Sequence, residues 1–250
     1  MAVIEFHDVS KWFLHVTGQE LLRTHIARWF GRSHVENFVA LKHISFQLEA
    51  GESLGVVGSN GAGKSTLLSL AAGLSTPNQG RVAINGRVAA LLELGSGFHP
   101  DLTGAENLIL NSALLGRSRK RTMELVDQIV EYSGVREFID DPLRTYSSGM
   151  VMRLAFANAI HADPDVLLVD EVLAVGDVAF QAKCFETLSE FQRAGKSFLF
   201  VSHSPELVKR MCDRAIWLDR GEVMMEGDAG AVLDAYSGAV AIKQQAGEQE

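Results

Sequence analysis

One short glycine-rich segment restricts what this 250-residue chain can fold into. Residues 58–65 read Gly-Ser-Asn-Gly-Ala-Gly-Lys-Ser, which matches the G-x-x-x-x-G-K-[ST] pattern of a phosphate-binding loop, between an apolar strand and a helical pattern. Glycines allow positive φ angles and bring N–H groups close to phosphate oxygens, and the N-terminus of the following helix attracts the same anion. We therefore predict phosphate binding by Gly58, Ser59, Asn60, Gly61, Ala62, Gly63, Lys64, Ser65 and Thr66.

Two acidic residues, Asp170 and Glu171, follow a second apolar run at Val166 to Val169. Open α/β sheets bind ligands beyond the carboxyl ends of their strands, so we expect both acids beside the glycine-rich loop. Asp170 and the Ser65 hydroxyl are then candidates to hold Mg²⁺, while Lys64 supplies a cation for the outer phosphates. Glu171 is the candidate general base for a water that attacks the terminal phosphate.

Composition and charge exclude several classes of protein. The chain is 47% hydrophobic and 22% charged, which is typical of a globular protein, and its net charge of -8 argues against a protein that coats nucleic acid. Its two cysteines are too few for a disulfide scaffold and fit a reducing compartment. The sequence shows neither a secretory signal pattern nor an apolar run of about 18 residues, so we expect a cytoplasmic chain that does not itself span a membrane.

Strands that alternate with helices predict an α/β fold with a parallel sheet. Ahead of the glycine-rich loop, strands are predicted at Val3 to Val9 and Ile44 to Glu49, and after it the dipeptide Asn85-Gly86 predicts a hairpin between strands 81–84 and 88–92. Thr103 and Glu106 form a capping-box pattern that opens a helical region. Further helices are predicted at 122–132, 148–162 and 178–193, with a hairpin around 219–221 and a disordered, Gln- and Glu-rich tail.

Four further segments resemble the ATP-binding subunits of ABC transporters. Tyr146-Ser-Ser-Gly-Met150 is similar to the signature segment of that family, and His203 lies in a Val-Ser-His-Ser segment that resembles its switch histidine. Asp177 matches the aspartate of the D-loop, and Phe13 matches the aromatic residue that stacks on adenine. The resemblance covers about residues 2 to 237.

The resemblance implies a P-loop NTPase (RecA-like) ABC ATPase fold that hydrolyses ATP with Mg²⁺. It implies a nucleotide-binding core at residues 1–97 and 161–238, with a mixed sheet and an N-terminal antiparallel β part. A helical subdomain is inserted at 98–160, and residues 239–250 form the disordered tail. A signature segment in one chain serves ATP held by the glycine-rich loop of a partner chain, so the resemblance implies a homodimer with Ser147, Ser148, Gly149 and Asp177 at shared sites, and with Lys64, Glu171 and His203 in catalysis.

Departures from the usual family pattern indicate a subfamily. Met150 replaces a Gln and Ser148 replaces a Gly, and Glu93 lies nearest to the position of a Gln that normally links Mg²⁺ to the membrane subunit. We predict that Glu93 ligates Mg²⁺ there. These segments look like the ATPase subunits of bacterial exporters of lipid-linked polysaccharides, O-antigen first and then capsule or teichoic acid. The resemblance implies an integral membrane permease as partner, no nucleic acid, and a location at the cytoplasmic face of the bacterial inner membrane.

Several features keep alternatives open. Leu22, Ile26, Trp29 and Phe30 can share one helical face flanked by arginines, which is typical either of contact with a membrane or membrane subunit or of an insertion that packs on its own domain. The run 117–121, Arg-Ser-Arg-Lys-Arg, is either a solvated loop or a basic patch for nucleic acid or lipid. The match of 51–55 to G-x-S-x-G is not expected to be a nucleophile, because Ser53 opens a strand. A soluble ABC ATPase and an ABC ATPase with another cargo remain the rival functions.

Overall fold

A computed structural model of the chain describes residues 1–15, 36–91, 97–170 and 177–247. Its strands are β1 (Ala2–His15), β2 (Glu36–Glu49), β3 (Ser53–Val57), β4 (Gln79–Ile84), β5 (Val88–Leu91), β6 (Val166–Val169), β7 (Ser197–Val201), β8 (Arg214–Asp219) and β9 (Glu222–Asp228). Its helices are α1 (Lys64–Ala71), α2 (Gly104–Leu114), α3 (Arg119–Ser133), α4 (Ser148–Ile160), α5 (Val178–Arg193), α6 (Pro205–Met211) and α7 (Ala229–Gly247).

The strands form two sheets. A three-stranded antiparallel sheet has the order β2-β1-β4, and a six-stranded sheet has the order β5-β6-β7-β3-β8-β9. The larger sheet is parallel except for β9, which forms the expected hairpin with β8. The predicted mixed sheet, N-terminal antiparallel β part and helical region are therefore confirmed as parts of an α/β fold.

The buried strands contribute side chains to two hydrophobic cores, one on each face of the larger sheet. Along β7, Phe198 and Phe200 face a core shared with α4, α5, α6 and α7, whereas Leu199 and Val201 face a core shared with the smaller sheet and α1. Since successive side chains of a strand point to opposite faces, a strand buried on both sides reads as a continuous apolar run. This explains why the sequence pattern at β3, β6 and β7 predicted their positions well.

The helical region 98–160 has an apolar core of its own, formed mainly by α2, α3 and α4. Thr103 and Glu106 make the predicted capping box at the start of α2, and Gly134, at a φ of 68°, ends α3. Tyr132 connects this region to α5, because its hydroxyl lies 2.6 Å from Thr187 Oγ1 and its carbonyl accepts a hydrogen bond from Lys183. Burial raises the pKa of Tyr132 to about 12.

The structure differs from the sequence-based predictions at the Asn85-Gly86 dipeptide and at the C-terminal tail. Asn85-Gly86 does not turn a hairpin: β4 pairs with β1, and β5 pairs in parallel with β6 in the other sheet. Asn85 donates hydrogen bonds to the carbonyls of Ala2 and Val3, so it continues the pairing with β1 until the chain crosses between sheets. The tail predicted to be disordered from residue 239 is helical as far as Gly247, where the Ala and Gln content favours helix.

A charge cluster ties the amino ends of three parallel strands together. Arg87, Asp165 and Lys196 each directly precede a strand, β5, β6 and β7 respectively, and Asp163 lies in the adjoining turn. Lys196 Nζ lies 3.0 Å from Asp163 Oδ1 and 3.5 Å from Asp165 Oδ1, and Arg87 contacts both carboxylates. The hydrogen bond from Lys196 lowers the pKa of Asp163, and the backbone N–H of Arg87 lowers that of Asp165.

This cluster predicts a contribution to acid stability. A carboxyl group whose pKa is lower in the folded than in the unfolded chain stabilises the fold at pH values above its unfolded pKa. This stabilisation is lost as the pH falls below about 4. We expect Asp163→Asn to unfold at a lower urea concentration than the wild type near pH 7. The gap between the two unfolding midpoints should shrink toward zero under acid conditions. The control Asp127→Asn removes a carboxylate that is 90% exposed, and equal acid dependence of wild type and Asp163→Asn would contradict the prediction.

Candidate nucleotide-binding site

The glycine-rich loop connects β3 to α1 at the carboxyl edge of the parallel sheet. Gly61 and Gly63 have φ angles of 80° and 105°, in the left-handed region that glycine adopts without strain. Leu67 N–H donates to Gly63 O at 2.9 Å, so the helix begins directly at the end of the loop. In the described part of the chain, no side chain caps this end of α1 and its first turn carries no acid. Its first N–H groups are thus suited to an anion from outside.

Two of the loop glycines are also required by close packing. A Cβ atom at Gly63 would lie 2.5 Å from the carbonyl oxygen of Ala40 on β2, and one at Gly58 would lie 2.2 Å from the carbonyl oxygen of Leu218 on β8. Both distances are shorter than a possible contact, so no residue larger than glycine fits at either position. Neighbouring strands from both sheets therefore hold the loop in place, which pre-forms its backbone for phosphate.

A cleft of about 400 Å³ opens beside this loop. Its lining combines polar groups, from the loop, the start of α1 and Asp170, with the apolar side chains of Phe38 and Ala40. Lys64 Nζ donates to the carbonyls of Gly58 (2.7 Å) and Ser59 (3.0 Å), so its charge stays over the loop. The residues that line the cleft are Phe38, Ala40, Asn60, Gly61, Gly63, Lys64, Ser65, Thr66 and Asp170.

Strand order brings the predicted catalytic residues toward this cleft. Asp170 directly follows β6 and lines the cleft with Ser65. His203 is exposed just beyond β7, where Ser202 N–H donates to Val56 O of β3 at 3.2 Å. Because β7 lies between β6 and β3, both residues are at the same edge of the sheet as the loop. Glu171 and Glu93 lie outside the described residues, so their roles stay predictions.

The signature-like segment forms the start of α4. The Ser147 Oγ atom accepts a hydrogen bond from Met150 N–H at 3.2 Å, and Ser147 and Ser148 are both exposed. The neighbouring Tyr146 is buried and donates its hydroxyl to Phe138 O at 2.5 Å, and burial raises its pKa to about 12. The buried side chain of Tyr146 thus fixes the segment to the protein interior, while the two serines face solvent. An exposed helix N-terminus with hydroxyl groups suits a phosphate.

Asp177 is the N-cap residue of α5 and contacts α4. Its Oδ1 accepts a hydrogen bond from Phe180 N–H at 2.9 Å, and its Oδ2 lies 3.9 Å from a guanidinium nitrogen of Arg153. The carboxylate is 64% exposed, so the distant ion pair with Arg153 is weak. The hydrogen bond instead fixes this residue at the surface, next to the helix that carries Ser147.

The aromatic residue that lines the cleft is Phe38, which the sequence analysis did not select. Phe13, the predicted adenine contact, is not among the described residues that line the cleft, although it is paired directly with Phe38 across β1 and β2. In the sequence, this residue is an aromatic two positions before Ala40. It was not predicted to line the cleft because β2 was predicted to begin at Ile44, whereas the strand begins at Glu36.

The cleft fits a nucleoside triphosphate and a hard cation. The loop offers backbone donors and a lysine to phosphate oxygens, and the Ser65 hydroxyl and Asp170 carboxylate offer oxygen ligands of the kind that Mg²⁺ prefers. Phe38 adds an exposed aromatic ring to the lining. The backbone donors and oxygen ligands therefore suit the phosphates and the cation of a nucleotide.

The sequence model of the ABC transporter family matches residues 41–174, which include the loop, the helical region and β6. The chain thus belongs to the ABC transporter family, as the ATP-hydrolysing type of subunit. The O-antigen export system ATP-binding protein RfbB of Klebsiella pneumoniae is 44% identical over 243 residues, which cover 96% of this chain and 99% of that protein. The teichoic acids export ATP-binding protein TagH of Bacillus anthracis is 43% identical over 80% of this chain and 36% of its own length.

Solved structures show the same fold. The ATP-binding subunit of an ABC transporter superposes with a TM-score of 0.75 at 21% identity, covering 94% of this chain and 93% of its own. An ATP-binding cassette in a dimeric, post-hydrolysis state bound to ADP and Pi gives a TM-score of 0.71 at 22% identity, covering 90% of this chain and 98% of its own. At this identity the comparison supports the fold alone.

The close approach at Gly63 predicts an effect on both stability and nucleotide binding. Ala at a left-handed position costs about 1 to 2 kcal/mol, and at Gly63 the new methyl group also collides with Ala40 O. We expect Gly63→Ala to lower the free energy of unfolding by more than this and to abolish measurable ATP binding by calorimetry. Gly73→Ala is the matched control, because Gly73 has a φ of 70° and open space around its Cβ position. Equal losses in the two variants would contradict the steric argument.

Proposed function

We propose that this chain hydrolyses ATP as a homodimer to power the export of a lipid-linked polysaccharide, with O-antigen as the first candidate cargo. The observation that carries the ATPase part is a single cleft bordered by Lys64, Ser65 and Asp170. The cargo part rests on the 44% identity to an O-antigen export ATP-binding protein over nearly the whole of both chains. Teichoic acid export is the second candidate, because teichoic acid export proteins are 41 to 43% identical over about four fifths of the chain.

The residues of the cleft divide the work of phosphoryl transfer. The loop N–H groups and Lys64 bind the β- and γ-phosphates and stabilise the charge that develops on them. Ser65 and Asp170 would hold Mg²⁺, which would supply positive charge to neutralise the phosphates. Glu171, directly after Asp170, accepts a proton from the attacking water. His203, beyond the neighbouring strand β7, contacts the γ-phosphate and orients it for in-line attack.

The second phosphate-binding element explains why two chains are needed. Ser147, Ser148 and Gly149 lie at the exposed N-terminus of α4. A Cβ atom at Gly149 would meet only Ser147 Oγ, at 3.9 Å, so packing among the described residues does not require a glycine there. We infer that the glycine leaves room for a phosphate to approach the backbone. In the proposed dimer these residues and Asp177 contact the ATP held by the glycine-rich loop of the partner.

Coupling to transport requires a separate membrane protein. We infer from the similarity to export ATP-binding proteins that the chain binds an integral membrane permease at the cytoplasmic face of the bacterial inner membrane. The described residues contain no helix with the length and the apolar character needed to cross a bilayer. Glu93 lies in the segment that corresponds to the permease-linked loop of the family, and we propose that it ligates Mg²⁺ there. The basic amphipathic stretch from Leu21 to Phe30 lies outside the described residues and is a candidate contact with the permease.

The general-base assignment predicts the behaviour of Glu171→Gln. The amide cannot accept the proton of the attacking water, so we expect ATP turnover to fall by at least about 100-fold while ATP binding is retained. Without hydrolysis the ATP-bound dimer should accumulate, which size-exclusion chromatography with MgATP detects. Glu186→Gln, an exposed change on α5, is the control and should behave like the wild type. A Glu171→Gln chain that stays monomeric with ATP and hydrolyses it normally would refute the mechanism.

The cargo assignment predicts how turnover responds to substrate. In vesicles that contain the chain and its permease, we expect lipid-linked O-antigen to stimulate ATP hydrolysis several-fold, whereas the free polysaccharide and the lipid carrier alone do not. The measurement is phosphate release at saturating ATP, with Glu171→Gln as the background. Stimulation by lipid-linked teichoic acid but not by O-antigen would make teichoic acid the preferred cargo assignment. Unchanged turnover with every lipid-linked glycan would reject polysaccharide export.

A further inference from the structure

The run of cations at residues 117–121 divides into an inward part and an outward part. Arg117 turns toward helix α4, where its guanidinium donates to the carbonyl of Asn158 at 3.1 Å and to Ser112 Oγ at 3.3 Å. Asn158 and Ser112 are both fully buried. Arg117 therefore fixes the loop between α2 and α3 to the rest of the helical region, and its charge is used within the chain.

The cations that follow this loop lie at the unfavourable end of α3. The first turn of the helix holds Arg119, Lys120 and Arg121 and no acid, whereas its exposed acids begin only at Glu124. A helix attracts anions to its N-terminus and cations to its C-terminus, so this order opposes the helix dipole. Sequences that break such local rules are expected to do so at functional sites.

Two of these cations are available to a partner. Arg121 forms an ion pair with Glu124 on the helix surface, at 3.0 Å. Arg119 and Lys120 are exposed, and within the part of the chain that the structure describes neither makes an ion pair. Since the whole chain carries a net charge of -8, the start of α3 is a local reversal of sign.

Exposed apolar side chains lie beside these cations. Met123 is 56% exposed and shares a helix face with Arg119 and Lys120, because it follows them by four and three residues. Leu114 is 68% exposed and is the last residue of α2, at the same end of the α2–α3 hairpin. We call these four residues the hairpin tip. Cations next to exposed apolar groups are the combination that binds a membrane interface.

We propose that the hairpin tip binds a membrane surface that carries anionic lipid headgroups. Arg119 and Lys120 contact the headgroup phosphates, and Leu114 and Met123 enter the apolar boundary beneath them. Nucleic acid fits less well, because two unpaired cations are few for a polyanion and the apolar side chains would stay in water. None of the four residues is among the described residues that line the nucleotide cleft, so the contact does not require a bound nucleotide.

The test measures binding of the full chain to vesicles by co-sedimentation. Each lysine or arginine near an anionic surface strengthens binding about fivefold, so two cations are worth about 30-fold. We expect the wild type to bind vesicles of phosphatidylglycerol and phosphatidylethanolamine about 30-fold more strongly than vesicles of phosphatidylcholine, with the difference falling at high salt. The double variant Arg119→Gln/Lys120→Gln should lose this preference for anionic vesicles.

A second variant tests the apolar part of the hairpin tip. Leu114→Ser/Met123→Ser keeps both cations but removes the side chains that enter the bilayer. We expect it to bind anionic vesicles about tenfold more weakly than the wild type, with the salt dependence retained. Anionic vesicle binding that is unchanged in this variant would contradict insertion.

Lys209→Gln/Arg210→Gln is the matched control, because it removes two neighbouring exposed cations from α6 and changes the net charge equally. It should bind vesicles like the wild type, and unchanged urea unfolding midpoints show that every variant folds. Equal vesicle binding by the wild type and Arg119→Gln/Lys120→Gln would overturn the proposal, as would an equal loss in the control. A charge variant that binds vesicles normally but no longer assembles with the permease would assign the surface to a protein partner instead.

Discussion

Parallel hydrogen bonding between β3 and β7, and between β7 and β6, forces three strands to end at the same edge of the sheet. The residues that follow these strands carry the chemistry: the glycine-rich loop after β3, Asp170 after β6 and His203 after β7. None of these side chains is close to the others in sequence. Their convergence is a property of strand order. A cluster of charges around Asp163 and Lys196 lies at the opposite ends of β6 and β7.

The second constraint is the contact between the two sheets at the loop. The carbonyl of Ala40 lies against both Gly63 and Gly221, and Lys42 N–H donates to Gly221 O at 2.8 Å. The smaller sheet is thereby fixed to the loop by its backbone. Phe38, two residues from Ala40 on the same strand, lines the cleft together with the loop.

Much of this arrangement could be predicted from the sequence, and the failures have physical causes. The loop pattern, the buried strands and the helix caps are local signals, so the positions of Lys64, Asp170 and Ser147 followed directly. Pairing partners are not local: Asn85-Gly86 has the composition of a hairpin turn, yet β4 and β5 join different sheets. Phe38 was missed because β2 was predicted to begin at Ile44, whereas the strand begins at Glu36 and brings Phe38 to the cleft.

Helix α4 belongs to two cores at once. Leu154 and Ala157 pack in the core of the helical region, whereas Phe156 and Ala159 pack in the core beneath the parallel sheet. Its amino end is fixed as well, because Tyr146 is buried and Met150 packs against the core of the helical region. The position of Ser147 is therefore set by both cores together, and a phosphate on a facing chain meets a hydroxyl group that packing has already placed.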